Sequence, residues 1–99
     1  MNQKPVPQAF ALRQNYPNPF NPSTRIEYEL PTTSQVKISV YNLNGQLVQT
    51  LFHGEQSAGR YTISWDGKNA NGNSIASGLY LVRMEAGRYA AVRKTVIAK

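Results

Sequence analysis

The sequence predicts an all-β fold, specifically an immunoglobulin-like β-sandwich of about seven antiparallel strands. Apolar and polar residues alternate along most of the 99-residue chain, which is typical of strands that bury one face. Seven glycines and six prolines separate these segments, as expected for many short elements joined by turns. A chain of this length supports one domain with one small core, and a small open barrel is the alternative architecture.

The first half of the chain contains four predicted strands. They cover residues 8–13, 23–30, 34–41 and 46–52. In the second of them, Ile26, Tyr28 and Leu30 share one face, while charged residues occupy the other. In the first, Phe10 and Leu12 point inward by the same alternation. Each of these segments therefore has one face suited to a common core.

An Asn-Gly pair at residues 44–45 predicts a hairpin between the third and fourth strands. A two-residue turn would pair Val40 with Gln49. A type I turn with Gly45 in the left-handed conformation would pair Val40 with Leu47. We favour the second register because it keeps the apolar residues on one face.

The second half of the chain contains three further predicted strands, at residues 60–65, 79–85 and 88–98. Each of these three strands begins at a Gly-x-Tyr unit, and the glycines of these units are Gly59, Gly78 and Gly87. We expect each tyrosine to bury its ring while its hydroxyl reaches a backbone group at the rim, as in the tyrosine corner of immunoglobulin-like domains. Inward side chains include Trp65 and Met84. Both faces of the last two strands carry apolar residues, which predicts that these strands are central or covered.

The composition limits the classes of function. The formal net charge is +6, and basic residues crowd the end of the chain. Such charge suits an anionic glycolipid or an acidic protein, or serves only solubility and edge protection. It is not interleaved with aromatic residues, so we expect no nucleic-acid binding. The chain has no cysteine, which rules out disulfides and leaves the compartment open.

The sequence shows neither a membrane span nor a signal peptide. No apolar run approaches the roughly 18 residues needed to cross a bilayer, and the N-terminus lacks the apolar region of a signal peptide. A secreted form would therefore carry its signal on a longer precursor. Residues 1–9 are predicted to be the end of an interdomain linker, and residues 10–99 the domain itself.

Catalytic chemistry has few candidates in this sequence. The single histidine, His53, has no cysteine or serine motif around it, and Glu27 and Glu29 are expected on a solvated strand face. We therefore predict no enzymatic activity, no cofactor and no histidine–cysteine metal cluster.

The loop at residues 66–73 is rich in side-chain oxygens. Asp66, Asn69 and Asn71 form a possible weak calcium loop, although only one of them is charged and no distal glutamate completes the pattern. Aspartate and asparagine also build turns by bonding their own backbone, which is the simpler interpretation.

Residues 16–22 read Tyr-Pro-Asn-Pro-Phe-Asn-Pro, with three prolines at short intervals. Proline lacks an amide donor for the hydrogen bonds between strands, so this segment is not a central strand. Proline also disfavours helical conformation in the residue before it, so the segment is not a helix. We predict a rigid connection in which Tyr16 and Phe20 close one end of the core. A proline-rich recognition peptide is the alternative.

Four segments together carry a family resemblance. They are YPNPFNPST (16–24), VYNLNGQLV (40–48), WDGKNANGNSIASGLYLVRMEAG (65–87) and KTVIAK (94–99). In order and spacing they resemble the type A C-terminal sorting domain of the type IX secretion system of Bacteroidetes. The third segment also resembles the immunoglobulin-like domain of the flagellar hook-capping protein.

The resemblance implies a domain fused to the C-terminus of a passenger, folded in the periplasm and recognised by the outer-membrane translocon. A surface sortase of cysteine-protease type would then remove it near the polar segment before Phe10. The passenger would be joined to anionic lipopolysaccharide or released, and the domain would be a monomer. Recognition is implied for Lys94, Val96, Ile97 and Lys99. We expect the last strand to offer a free edge to its partner.

Two other functions stay open on the sequence. An accessory carbohydrate- or cell-surface-binding module would show a row of exposed aromatic residues on one sheet. A structural scaffold like the hook-capping domain would self-assemble.

Overall fold

The computed structural model of the protein describes residues 6–99 and confirms the predicted all-β sandwich. The seven strands are β1 (Ala11–Leu12), β2 (Thr24–Leu30), β3 (Ser34–Tyr41), β4 (Leu47–Gln56), β5 (Gly59–Trp65), β6 (Gly78–Ala86) and β7 (Tyr89–Ile97). They form a three-stranded sheet, β1-β2-β5, and a four-stranded sheet, β4-β3-β6-β7. All pairings are antiparallel. Residues 6–99 contain no helix that is long and apolar enough to cross a membrane.

The core lies between the two sheets, and the alternation of residues decides which side chains fill it. On β2, the predicted inward residues Ile26, Tyr28 and Leu30 are each 0–1% exposed. The four-stranded sheet contributes buried residues from its two central strands, namely Val36, Ile38, Val40, Val82 and Met84. Burial of an aliphatic side chain of this size stabilises the fold by about 1.5–3 kcal/mol, so these two layers account for much of the hydrophobic stabilisation.

Two of the Gly-x-Tyr units behave as predicted. The hydroxyl of Tyr80 donates a hydrogen bond to the carbonyl of Ala76 at 2.8 Å. The hydroxyl of Tyr61 donates to the carbonyl of Ser57 at 2.6 Å. Each tyrosine thus ties the start of its strand to the connection just before it, as a tyrosine corner does.

The predicted register of the β3–β4 hairpin is wrong in one respect. Gly45 adopts φ of +80°, as expected for the left-handed position of a type I turn. However, Tyr41 pairs with Leu47, and Val40 pairs with Gln49 rather than with Leu47. A bulge adds one residue to β4 between these pairs, and a second register shift follows between Ser39 and Ile38.

The prediction that both final strands are central or covered holds for β6 only. β6 lies between β3 and β7, whereas β7 is an edge strand. Val92, on the outer face of β7, is 41% exposed. Apolar residues on both faces of β7 therefore do not reflect burial of both faces within this chain.

The predicted linker end at residues 1–9 falls partly outside the described residues, because residues 1–5 are not among them. Of the remainder, Val6 is 56% exposed and Pro7 is buried. The ring of Phe10 stacks on that of Tyr89 at 5.2 Å between centroids. Contact with the sandwich thus begins before β1.

Candidate functional site

The proline-rich segment folds along the outer edge of β7 and holds the last residues of that strand. The side-chain oxygen of Asn18 accepts a hydrogen bond from the Val96 amide at 2.9 Å. The amide of Phe20 donates to the Val96 carbonyl at 2.9 Å, and the amide of Ala98 donates to the Phe20 carbonyl at 3.0 Å. We call residues 14–20 together with 94–98 the tail clamp.

The tail clamp corrects the expectation of a free edge at the end of the last strand. The carbonyl of Lys94 also accepts a bond from the Gln14 side chain, at 2.6 Å. The outward backbone groups from Lys94 to Ala98 are thus largely paired within the chain. An incoming strand would have to displace this segment before it could pair here.

A buried amide lies at the centre of the clamp. Asn15 is 3% exposed. Its Nδ2 donates to the hydroxyls of Thr24 at 2.9 Å and of Thr95 at 2.6 Å. Its Oδ1 accepts a bond from Gln14 at 2.7 Å. Thr24 and Thr95 are themselves 0–1% exposed, so a polar network inside the sandwich joins the proline-rich segment to both sheets.

Sequence analysis missed Asn15, and its prediction for the neighbouring Tyr16 is wrong. Phe20 is 2% exposed and closes the core as predicted, but Tyr16 is 72% exposed. The backbone of Tyr16 bridges Arg25 of β2, and successive side chains of an extended segment point to opposite sides. Asn15 therefore points inward and Tyr16 outward. The three peptide bonds preceding the prolines of this segment are cis.

An aromatic cluster supports the clamp from below. The ring of Trp65 lies 5.4 Å from that of Phe20 and 6.0 Å from that of Tyr80. Gly67, at φ of +72°, turns the chain beneath this cluster, where a β-carbon would lie 3.6 Å from the Phe20 ring and 3.7 Å from Ile97. Segments from all parts of the chain therefore meet at this end of the sandwich.

The loop after β5 uses its side-chain oxygens to build turns. Asp66 Oδ1 accepts the amide of Lys68 at 3.1 Å, and Asn69 Oδ1 accepts the amides of residues 71 and 73, each at 3.0 Å. Asn71 is exposed. Residues 6–99 contain no group of three or more histidine, cysteine, aspartate or glutamate side chains placed to hold a metal ion. A calcium ion at this loop would compete with these backbone donors, and calcium binding stays a prediction.

The same loop covers the opposite edge of the four-stranded sheet. The amide of Ala70 donates to the carbonyl of Val48 on β4 at 3.0 Å, and the side chain of Gln49 donates to the carbonyl of Asn69 at 3.0 Å. Between this loop and the β3–β4 hairpin lies a groove of about 400 Å³. Leu47 is among the residues that line it.

The four residues implied in translocon recognition do not share one environment. Lys94 and Lys99 are exposed, and Val96 is half-buried on the outer face of β7. Ile97 is 3% exposed and belongs to the core. The ammonium of Lys99 donates a hydrogen bond to the carbonyl of Ile75. The side chains accessible to a partner are therefore those of Lys94, Val96 and Lys99.

Other candidate groups are not part of the clamp. His53 is exposed on β4 and lines a shallow depression of about 220 Å³ with Lys37 and Glu85. Glu29 forms an ion pair with Arg13 at 2.9 Å. Glu27 is exposed as predicted, whereas the side chain of Glu29 is half-buried beneath this ion pair.

Comparison with known proteins gives a family and a fold. The sequence model described as the FlgD Ig-like domain matches residues 20–89. The basal-body rod modification protein FlgD of Salmonella typhimurium is 33% identical over 61 residues. That match covers 62% of this chain and 26% of the relative, so the chain spans about a quarter of the length of this curated relative.

Two solved structures from Porphyromonas gingivalis share the fold. Dimeric latent PorU from Porphyromonas gingivalis matches 85% of this chain and 9% of its own, with a TM-score of 0.66 and 20% identity. PorZ from the same organism, described as an essential surface component of its type-IX secretion system, matches 93% of this chain and 12% of its own. Its TM-score is 0.58 and its identity 18%. At these identities the likeness establishes an immunoglobulin-like fold and no more.

Proposed function

Because this chain belongs to the FlgD Ig-like domain family, we propose that it acts as a non-catalytic β-sandwich that presents a sorting signal. Specifically, it is a C-terminal sorting domain that directs a fused passenger through the type IX secretion system to the cell surface. There it is cleaved off by a sortase-like protease or anchors the passenger, with anionic lipopolysaccharide as the acceptor. The proposed location is the outer-membrane surface or the extracellular space, reached through the periplasm.

The tail clamp is the observation that carries this proposal. The two segments that most resemble sorting domains, YPNPFNPST and KTVIAK, are about 80 residues apart in sequence but are bonded to each other through Asn18, Phe20 and Val96. Most of the clamp also lies outside residues 20–89, which match the family. Its bonds join the end of β7 to the proline-rich segment, where the resemblance to sorting domains is most specific.

The clamp suits a recognition element because it holds the tail in one conformation. Residues 94–98 are fixed by backbone and side-chain bonds, so a partner would bind them without first ordering a flexible segment. The exposed side chains of Lys94, Val96 and Lys99 then form a defined, positively charged pattern. Fixed charge of this kind favours encounter with an acidic partner such as the proposed translocon.

Deletion of residues 94–99 is a poor test, because it would remove two groups on which the fold depends. Thr95 is 0% exposed and Ile97 is 3% exposed. Loss of Ile97 alone, at the scale of large-to-alanine changes in a core, costs about 2–5 kcal/mol. A truncated chain would therefore fail through unfolding whether or not the tail is recognised.

A sharper experiment keeps the inward residues and changes the outward ones. The whole chain is fused behind a signal-bearing passenger enzyme and expressed in a bacterium with a type IX system, and in the same strain lacking the translocon. We expect surface activity only in the first strain. Lys94→Glu combined with Val96→Asp should lower surface delivery at least tenfold while the passenger stays active in the periplasm. Lys68→Glu, an exposed loop change, is the matched control.

Passenger that remains in the periplasm of the competent strain with the unaltered chain would refute the sorting role. Equal delivery in both strains would refute it as well. If the fusion is delivered normally despite the Lys94 and Val96 changes, recognition does not use the tail. Thermal unfolding of the purified variants checks that they are folded.

A further inference from the structure

The two outer faces of the sandwich differ in character. On the three-stranded sheet the outer face of β2 and β5 is polar, with Arg25, Glu27 and Thr62 all exposed. Glu29 on the same face is paired with Arg13 at 2.9 Å. Such a face is well hydrated and does not indicate a protein-binding surface.

The outer face of the four-stranded sheet carries an apolar surface at the end near the tail clamp. Tyr41 on β3 lies opposite Leu47 on β4 and also opposite Leu81 on β6. Leu79 on β6 lies opposite Val96 on β7. Directly opposed residues share a face, so these five side chains form one surface across all four strands. We call them the apolar half of this face.

The apolar half remains accessible within the described part of the chain. Leu47 is 54% exposed and the other four residues are half-buried. Leu43, at the tip of the adjoining hairpin, is 63% exposed. With strands spaced 4.7–4.9 Å apart, four strands extend the surface to roughly 14 Å across. Clustered apolar exposure of this kind, unlike scattered single residues, is typical of a protein interaction site.

A basic side chain lies within the apolar half. Lys94 lies opposite Leu81 and is exposed. None of the five Asp and Glu side chains is paired with a residue of the apolar half: Glu27 and Glu29 lie on the opposite face, Glu55 and Glu85 in the other half of this face, and Asp66 in the loop after β5, where it accepts the Lys68 amide. A complementary surface would therefore combine an apolar centre with carboxylates at its rim.

We propose that the apolar half, together with Lys94, is a docking face for a folded protein whose own surface has an apolar centre bordered by acidic side chains. This inference rests on the sorting function, and it enlarges the recognised surface from the tail to a face that reaches the far edge of the sheet. A second copy of this chain is a poor occupant, because it would bring Lys94 and a net charge of +6 against the same charges.

Leu47 provides the decisive test because it lies on β4, three strands away from the tail on β7. If the partner recognised only the tail, changes at Leu47 would not alter surface delivery of the passenger. The whole-chain fusion is compared with Leu47→Asp and Leu47→Lys, which are both charged and hydrophilic but opposite in sign. The matched control is Thr62→Asp, at an exposed position on the polar outer face. Surface delivery of the passenger is measured in the type IX-competent strain.

We expect Leu47→Asp to lower delivery at least tenfold and Thr62→Asp to change it less than twofold. Leu47→Lys should retain at least threefold more delivery than Leu47→Asp, because an added cation suits an acidic partner. Equal loss for both Leu47 variants would overturn the acidic partner, and normal delivery of both would overturn the docking face. If the unaltered fusion is not delivered, the sorting function itself fails, which is a distinct result.

Two controls keep these outcomes interpretable. Thermal unfolding of each purified variant is compared with that of the unaltered chain, and Leu47→Ser, which is smaller and neutral, replaces any variant that does not fold. Sedimentation of the unaltered chain at increasing concentration tests for a second copy as the occupant. Self-association that is lost in Leu47→Asp would overturn the proposal in favour of a homodimer.

Discussion

Replacement of Asn15 by alanine is expected to lower the free energy of unfolding by about 2–3 kcal/mol. The reason lies in the two buried hydroxyls that its side chain serves. Thr24 would keep a partner, since its hydroxyl also donates to the Pro17 carbonyl at 2.8 Å. Thr95 would be left without one, because among the described residues its hydroxyl is bonded only to Asn15. An orphaned buried hydroxyl costs about 1–3 kcal/mol, and the lost bonds add to this.

Thermal and denaturant unfolding of the purified chain would measure this change. For a domain of this size, a loss of 2–3 kcal/mol lowers Tm by roughly 10–20 °C. Asn21→Ala is the matched control, because Asn21 belongs to the same segment but is exposed. We expect that control to change stability by less than about 0.5 kcal/mol.

A double-mutant cycle with Thr95→Val tests the mechanism rather than the magnitude alone. Valine removes the hydroxyl that Asn15→Ala would orphan, so the double variant should be less destabilised than the sum of the two single variants. We expect a coupling of about 1–2 kcal/mol. A loss below about 0.5 kcal/mol for Asn15→Ala, or strict additivity in the cycle, would refute the proposed role of this network.

Three further predictions concern the glycine turns, Tyr28 and Ser39. Gly67→Ala and Gly72→Ala should each lower the free energy of unfolding by about 1–2 kcal/mol, because both glycines have positive φ, of +72° and +81°. The two losses should agree, since a β-carbon at Gly67 meets its neighbours only at ordinary contact distance. A much larger loss at Gly67, measured by urea unfolding, would contradict this. Burial raises the pKa of Tyr28, an effect that its hydrogen bond to Gln56 at 2.6 Å partly opposes. The contribution of Tyr28 to stability should therefore be full below the ordinary tyrosine pKa of about 10 and should fall as pH rises toward the folded-state pKa. Tyr28→Phe should reduce that alkaline loss of stability, and identical pH profiles for the two proteins would contradict this. Ser39 is 2% exposed, and its hydroxyl has no hydrogen-bond partner within residues 6–99. Ser39→Ala should therefore leave the free energy of unfolding unchanged or raise it by up to about 1 kcal/mol. A clear loss of stability in calorimetry would show that the hydroxyl is paired.

Patterns local to a strand were sufficient to predict much of the molecule. Alternation along β2 identified Ile26, Tyr28 and Leu30 as core residues, and all three are buried. The Gly-x-Tyr units predicted hydroxyl-to-backbone bonds that form at Tyr61 and Tyr80. These successes share a cause. A strand has a side-chain period of two and a turn has local backbone requirements, so both leave a direct trace in consecutive residues.

Features that depend on partners distant in the sequence escaped prediction. Asn15 next to Tyr16 gave no sign of which side chain turns inward, and the larger, more apolar residue is the exposed one. Apolar residues on both faces of β7 suggested a covered strand, although β7 is an edge. In both cases the sequence records the polarity of a residue but not what lies opposite it.

The sequence by itself determined that this chain folds as a two-sheet β-sandwich, which residues of most strands face its core, and which segments resemble a sorting domain. Only the tertiary structure decided that two of those segments join, through the bonds of Asn15 to Thr95 and of Asn18 to Val96, across 80 and 78 residues. The physical reason is that alternation depends on neighbours along one strand, whereas the tail clamp depends on how the two sheets stack. That stacking places the proline-rich segment against the edge of β7 and leaves an apolar surface beside it.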